Sequence, residues 1–275
     1  MALADYITDQ PPSASLGDLS TMFVPEQLSS PIDMYKKRVR EILAYGNPNT
    51  LSGSPMIGRL LAINLVSATE AYFRSVLSAA IELCPIAQSI ASEKNINLGG
   101  MLWHGRKGYS RSAFDHISFA NADDLKKASS GYVGFVLQPN TFKTPLDEFD
   151  KVCHLRHGLV HNDGILPGRN AVKLEIKKYD SQIRTIVDYG GLQDIASVTS
   201  TLVSTFNREL FDLFCKRWAV DWRNRFDWNP ANENNLFNSL WSIFVCRADL
   251  ELRSDRHSAR RIDCLQAVRV QFGLG

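Results

Sequence analysis

The sequence predicts a mainly α protein, a helical bundle carrying a small β-hairpin insertion and a C-terminal annex. Three observations lead there. Between Met56 and Leu83 the apolar residues Leu61, Leu65, Ala68, Tyr72, Val76, Ala79 and Leu83 step by threes and fours. A second long stretch, from Leu192 to about Trp218, repeats that period through Ile195, Val198, Leu202, Phe206, Leu210, Leu213 and Phe214. Strict apolar–polar alternation occurs only near 170–190, where Val172, Leu174 and Ile176 alternate with lysines and a glutamate and a β-prone run, Ile183 to Tyr189, follows.

Taken in order, residues 1–31 contain Pro11, Pro12, Pro25 and Pro31 among serines and read as an irregular arm. Residues 32–218 form the helical domain. Its first helix is short and amphipathic, Ile32 to Tyr45, stopped by Gly46, Asn47 and Pro48. The long Met56–Leu83 helix is apolar around much of its girth and belongs at the centre of the bundle. Glu70 and Arg74 stand i, i+4 on it; they read either as a surface ion pair or as neighbours of a functional site. The glycines at 99, 100, 105 and 108 predict a loop over 95–109. Asn121 or Asp123 caps a helix to about Ser130, and Thr144-Pro145 reads as the start of another, with Leu146, Phe149, Val152, Cys153 and Leu155 facing inward. Residues 219–275 change character, with Trp222, Trp228 and an amphipathic helix around Leu236–Phe244, and read as an annex.

A chain of 275 residues, 44% hydrophobic and 22% charged, is ordinary globular material. Its formal charge of +2 creates no strong global field, so a polyanionic partner would be held by a local patch. The five cysteines are scattered, with no C-x-x-C pair, and read as reduced, mostly buried thiols. No basic, apolar and small-residue succession of a secretory signal is visible, and the apolar run from Leu60 is interrupted by Glu70, Arg74 and Glu82. A cytoplasmic protein with no membrane partner is expected.

The chemistry is concentrated in one place. Three of the six histidines fall with an arginine inside eight positions, His154, Arg156, His157 and His161, followed by Asn162, Asp163 and Gly164. Histidine exchanges protons near neutrality, and arginine grips phosphate bidentately. Cleaving RNA without a metal requires such groups: a base for the 2′-hydroxyl proton, an acid for the leaving 5′-oxygen and a cation for the developing charge. His161 suits proton transfer and Arg156 suits the charge. On a straight helix these two stand about 140° apart. Either Gly158 marks a distortion or helix end, or two copies of the chain assemble the site. Two other readings are open: Arg156 as an ion-pair partner of Asp163 or Asp150 with His161 interacting with the helix dipole, and a zinc site on His154, His157 and His161.

The segment Leu155-Arg156-His157-Gly158-Leu159-Val160-His161 resembles the R-x(4–6)-H signature of the HEPN superfamily, with His157 in the slot where a polar residue follows the arginine. The likeness extends over about 32–218: a long helix bearing an acid at Glu70, the motif at the end of a later helix, and a closing helix. The resemblance implies a four-helix up-and-down core and a homodimer that joins two motifs in a composite active site. It also implies an endoribonuclease that needs no metal or other cofactor and leaves 2′,3′-cyclic phosphate ends. Members act in toxin–antitoxin, anti-phage and RNA-processing systems, so an antitoxin or sensor protein is a possible partner and RNA the expected substrate. On this reading Arg156 and His161 are catalytic, and His157, Asn162, Asp163 and Glu70 support them. Asp163 stands where the nucleotidyltransferase-partnered branch has tyrosine, so regulation through such a tyrosine is not expected. Some members are non-catalytic, which keeps an RNA-binding or protein-interaction module as the alternative.

Outside the motif, Lys216, Arg217, Trp218, Trp222, Arg223, Arg225, Phe226 and Trp228 fit either stacked bases or, better, core anchors. The basic residues Arg253, Arg256, His257, Arg260 and Arg261 are interleaved with Asp249, Glu251, Asp255 and Asp263 and read as a solvated helix face. No P-loop, dinucleotide-binding glycine pattern or nucleophile elbow occurs.

Overall fold

Proline opens the helices of this protein. In the computed structural model, which describes residues 6–9, 11–26, 29–105, 108–252 and 260–274, it stands in the first turn of α1 (Pro31–Tyr45), α2 (Pro48–Gly53), α3 (Pro55–Leu83) and α4 (Pro85–Ala91). Its fixed φ suits that position and its missing N–H removes a donor that has no partner there. Two short helices follow, α5 (Leu98–His104) and α6 (Tyr109–Ser112), then α7 (Ala122–Ala128), capped by Asn121 and prolonged by a π turn to Val133. The remaining helices are α8 (Pro139–His161), α9 (Gly168–Lys173), α10 (Tyr189–Lys216), α11 (Glu233–Phe244), α12 (Arg247–Leu252) and α13 (Arg261–Gln271). The fold is mainly α. Among the described residues the N-terminal stretch carries a 3-10 turn, Leu19–Met22, before α1.

Helices α1, α3, α8 and α10 pack on one another around an aromatic centre. Phe73 of α3 meets Phe206 of α10 at 5.0 Å between ring centroids, and Phe135 meets Phe206 at 5.2 Å. Phe142 and Phe149 of α8 close the cluster from another side. Such edge-on pairs add to burial and fix the helices in register. Residues beyond 219 join the same core: Phe244 of α11 lies against Phe211 and Phe214, and Phe237 lies 5.0 Å from Trp218. Asn207, in the core, accepts from the Tyr72 hydroxyl at 3.1 Å and donates to the Phe244 carbonyl at 2.9 Å. Trp218 and Trp222 are buried anchors, whereas Phe226 is fully open to solvent.

Several sequence expectations are corrected. The β-hairpin at 170–190 does not form. Val172 is 77% exposed and Ile176 43%, so the alternating run has no surface to lie on, and an isolated two-stranded hairpin is at best marginal. Residues 168–173 instead make the α9 turn, tied to α8 by the Asn170 side chain, which donates to the His154 carbonyl at 2.8 Å. The one β pairing among the described residues joins Ile165 to Arg184. The glycine-rich stretch 95–109 holds α5, capped by Asn97, and the start of α6; Arg106 and Lys107 lie outside the described residues. The helix with the motif starts at Pro139, five residues before Thr144. Phe142 and Leu146 are both buried one turn apart, and this packing draws the helix backwards through Pro145 despite the bond that its missing N–H denies to the Thr141 carbonyl. Of the basic C-terminal residues, Arg253, Arg256 and His257, with Asp255, also lie outside the described residues, as does the Glu251 side chain; Arg260 pairs with Asp263.

Gly58 sets how closely the chain entering α10 crosses α3. A Cβ at this position would come within 1.9 Å of the Val187 carbonyl oxygen. Gly58→Ala is therefore expected to destabilise the protein by about 1–3 kcal/mol, because the backbone at 187 must shift. A thermal melt checks this, and an unchanged midpoint would contradict the close crossing.

Candidate functional site

Helices α3 and α8 run antiparallel where the motif lies. Phe73 faces Phe149, Glu70 faces Arg156, and Arg59 reaches the Asp163 carbonyl at 3.2 Å. The last turn of α8 is regular. Gly158 neither bends nor ends it: the Asn162 and Gly164 amides both donate to the Gly158 carbonyl, closing the helix after His161. Of the two alternatives the sequence leaves open, a distortion or helix end at Gly158 is not what the helix shows, and glycine serves another purpose there. A Cβ would stand 3.1 Å from the Ile165 carbonyl and 3.2 Å from the Pro167 ring, so glycine lets the returning chain lie flat on the helix. Asp163 and Gly164 turn that chain with φ of +49° and +84°.

Because the helix runs unbroken through Gly158 to His161, the motif divides into two faces. His157 and His161 are exposed and adjacent, their ring centroids 4.8 Å apart. Partial burial, followed by the charges of His161, Arg156, His154 and Arg169, lowers the His157 pKa below the usual histidine value. His157 thus keeps its neutral form further into acid than an ordinary histidine. Arg156 points back toward α3. Its side chain is 25% exposed and its guanidinium lies 3.8 Å from a Glu70 oxygen, an ion pair too long to be a hydrogen bond. Its Nε is buried without a partner.

Glu70 is the anchor of this face. One carboxylate oxygen accepts from the Phe119 amide at 3.1 Å and the Ser118 hydroxyl at 3.3 Å, leaving the other toward Arg156. The i, i+4 pair with Arg74 does not form; Arg74 donates to the carbonyls of Phe114 and Ile117 and lies over the Phe119 ring. Asp150 is also engaged elsewhere, accepting from the Ala122 amide at 2.7 Å. Asp163 pairs with Arg184 at 2.7 Å, not with Arg156. The Arg184 hydrogen bond and charge, with Arg59 behind, hold its carboxyl below the usual carboxylate range. Asn162 is exposed at the helix end, its carbonyl accepting from the Ile165 amide at 2.8 Å.

The structure therefore brings together His157 with His161, and Arg156 with Glu70, but keeps Arg156 and His161 on different faces of one helix. Among the described residues no group of three or more His, Cys, Asp or Glu side chains is arranged to hold a metal ion. Sequence reasoning missed Arg59 and Arg184, the cations that fix the turn after His161. Arg184 was hidden in the run taken for a strand, and its distance of 21 positions from Asp163 gives no local signal. Compared with known proteins, the chain matches no family model, no curated protein and no solved structure. Among the described residues no helix is long and apolar enough to cross a membrane.

Proposed function

We propose that this chain is a metal-independent endoribonuclease of HEPN type, with a four-helix up-and-down core, acting in the cytoplasm as a toxin or anti-phage effector. One observation carries the reading: a half-buried arginine that makes no hydrogen bond among the described residues, within the last turn and a half of the helix that carries two exposed, adjacent histidines. A guanidinium offers five N–H donors in a fork suited to phosphate, and Arg156 has only a distant carboxylate opposite it. His161, with His157 beside it, supplies proton transfer. The 2′-hydroxyl gives up its proton and attacks the phosphorus; the bond to the 5′-oxygen breaks and that oxygen takes a proton. The products are a 2′,3′-cyclic phosphate and a 5′-hydroxyl.

The two histidines of one chain stand on the same side and are too close to admit a phosphate between them, whereas in-line cleavage uses proton-transfer groups on opposite sides. A second copy related by a two-fold axis supplies the other set, in a composite site with His161 near its mate. Glu70 offsets the charge of Arg156 while the cleft is empty, and RNA phosphate replaces that balance when it is filled. The exposed Met56, Leu60 and Val160 near this end of α3 and α8 offer apolar surface for such contact.

The test is to incubate purified protein with RNA from its expression host in excess chelator and sequence the ends. Cleavage that persists, leaves cyclic phosphate ends and comes with a dimer in light scattering is the expected result. Activity that disappears in chelator and returns with zinc would reject the metal-free mechanism. A second reading, a non-catalytic RNA-binding or protein-interaction module, is favoured by the Arg156–Glu70 pair itself, which gives Arg156 a purely structural occupation. Under that reading no RNA is cut.

A further inference from the structure

The chain from Gly164 to Thr185 leaves α8 beside the two histidines and returns to the same place. Its base is fixed. Ile165 pairs with Arg184, the Leu166 amide donates to the Ile183 carbonyl at 3.0 Å, and the Thr185 amide donates to the Gly164 carbonyl at 2.8 Å. Asn170, itself buried, pins the middle to the His154 carbonyl, and Gly158 lets residues 165–167 lie against the helix. Whatever binds this loop is thereby held at a set distance from His157 and His161.

Its outer face is unusually basic. Apart from Arg184, which is paired with Asp163 at the base, residues 164–185 include Arg169, Lys173, Lys177 and Lys178 against Glu175 and Asp180, a local excess of two positive charges (4 − 2), as large as the whole chain's +2. Arg169, Lys173, Lys177 and Lys178 are all exposed, and none forms an ion pair among the described residues. Arg169 is near enough to contribute to the lowered pKa of His157, which ties the basic face to the motif. The loop also encloses a groove of about 370 Å³, lined by Leu166, Ile176, Lys177, Lys178, Tyr179 and Gln182 among others. Pockets for small ligands begin near ~300 Å³. Leu166 and Ile176 give it apolar walls, Tyr179 is 59% exposed, and Gln182 offers both a donor and an acceptor.

Apolar walls with an open aromatic ring and two lysines are the chemistry that takes a flat heterocycle joined to phosphates. We infer that this loop is a nucleotide-docking subsite: it holds one unpaired base of single-stranded RNA in the groove, with the adjoining phosphates on Lys177 and Lys178. A duplex cannot use it, because paired bases are stacked away from side chains. That the docked strand then presents its next linkage to His157 and His161 rests on the ribonuclease reading above; the docking itself does not.

Fluorescence anisotropy on the full chain tests this, with a short labelled RNA as the probe, used single-stranded and annealed to its complement. The His161→Ala background prevents turnover. Tyr179→Ala is expected to weaken single-strand binding roughly ten-fold. Lys177→Ala with Lys178→Ala is expected to weaken it and to lower the salt slope by about 1.4, two phosphates' worth for a single strand. All three side chains are exposed, so thermal melts of the variants should match the parent. Unchanged affinity in these variants, no RNA binding by the parent, or equal affinity for the duplex overturns the inference. Binding that depends on the loop in a protein that cuts no RNA keeps the inference and removes the ribonuclease reading. Cleavage with binding unaffected by the loop variants does the reverse.

Discussion

His161→Ala is expected to slow RNA cleavage by a factor of about 10²–10⁴, the range for losing a positioned proton-transfer group, while melting temperature and RNA affinity stay near those of the parent. The structural reason for separating activity from stability is exposure: the His161 side chain is exposed, outside the core, with its ring beside that of His157. Removing it opens no cavity. The same geometry sets the pH dependence. Partial burial, followed by the charges of His161, Arg156, His154 and Arg169, lowers the His157 pKa. A lowered histidine pKa means that the neutral form survives to lower pH. With His157 as the base beside His161, the acid limb of kcat/KM is therefore expected below the ordinary histidine value of about 6.5. Single-turnover assays on end-labelled RNA across the pH range check both points, and a His161→Ala protein that cuts at the parental rate would remove this residue from the chemistry.

Much of the fold was legible because long helices declare themselves by period. The spacing in Met56–Leu83 corresponds to α3 within one residue at its start, and Leu192–Trp218 corresponds to α10 and the π turn after it. The errors arose where local pattern and tertiary packing disagree. Val172, Leu174 and Ile176 alternate as a strand would, but a strand needs a partner and a surface, and here Asn170 and Pro167 commit the chain to a short turn against α8. Pro145 looked like a helix start, yet burial of Phe142 one turn earlier carries the helix through it.

The site was legible in residue type but not in arrangement. The density of histidine around Arg156 is what singles out the end of α8 as a candidate site, and the 140° separation expected from helix geometry is consistent with Arg156 and His161 facing different ways. What sequence could not choose was the partner of Glu70. Arg74 lies at helical spacing, but its guanidinium is drawn off by the Phe114 and Ile117 carbonyls, and Arg156, 86 positions away (156 − 70), takes its place.

Arg156→Ala is expected to cost cleavage about 10²–10³-fold, the usual loss when one charge-stabilising donor is removed from a transition state. It should also cost some stability, roughly 1–3 kcal/mol, because the Glu70 carboxylate, only 13% exposed, loses its cation and keeps only Phe119 and Ser118 as donors. That stability loss alone does not distinguish a phosphate grip from a structural ion pair. Glu70→Gln does. It retains an oxygen for the Phe119 amide while removing the charge that balances Arg156, so the guanidinium becomes more available to an anion. If Arg156 holds phosphate, Glu70→Gln should bind RNA as tightly as the parent or more tightly, whereas Arg156→Ala binds it more weakly. If Arg156 serves only to neutralise Glu70, the two variants should lose similar stability and leave RNA affinity unchanged. Paired anisotropy titrations and thermal melts on the two variants give the answer, and the structural outcome would favour the non-catalytic module over the ribonuclease.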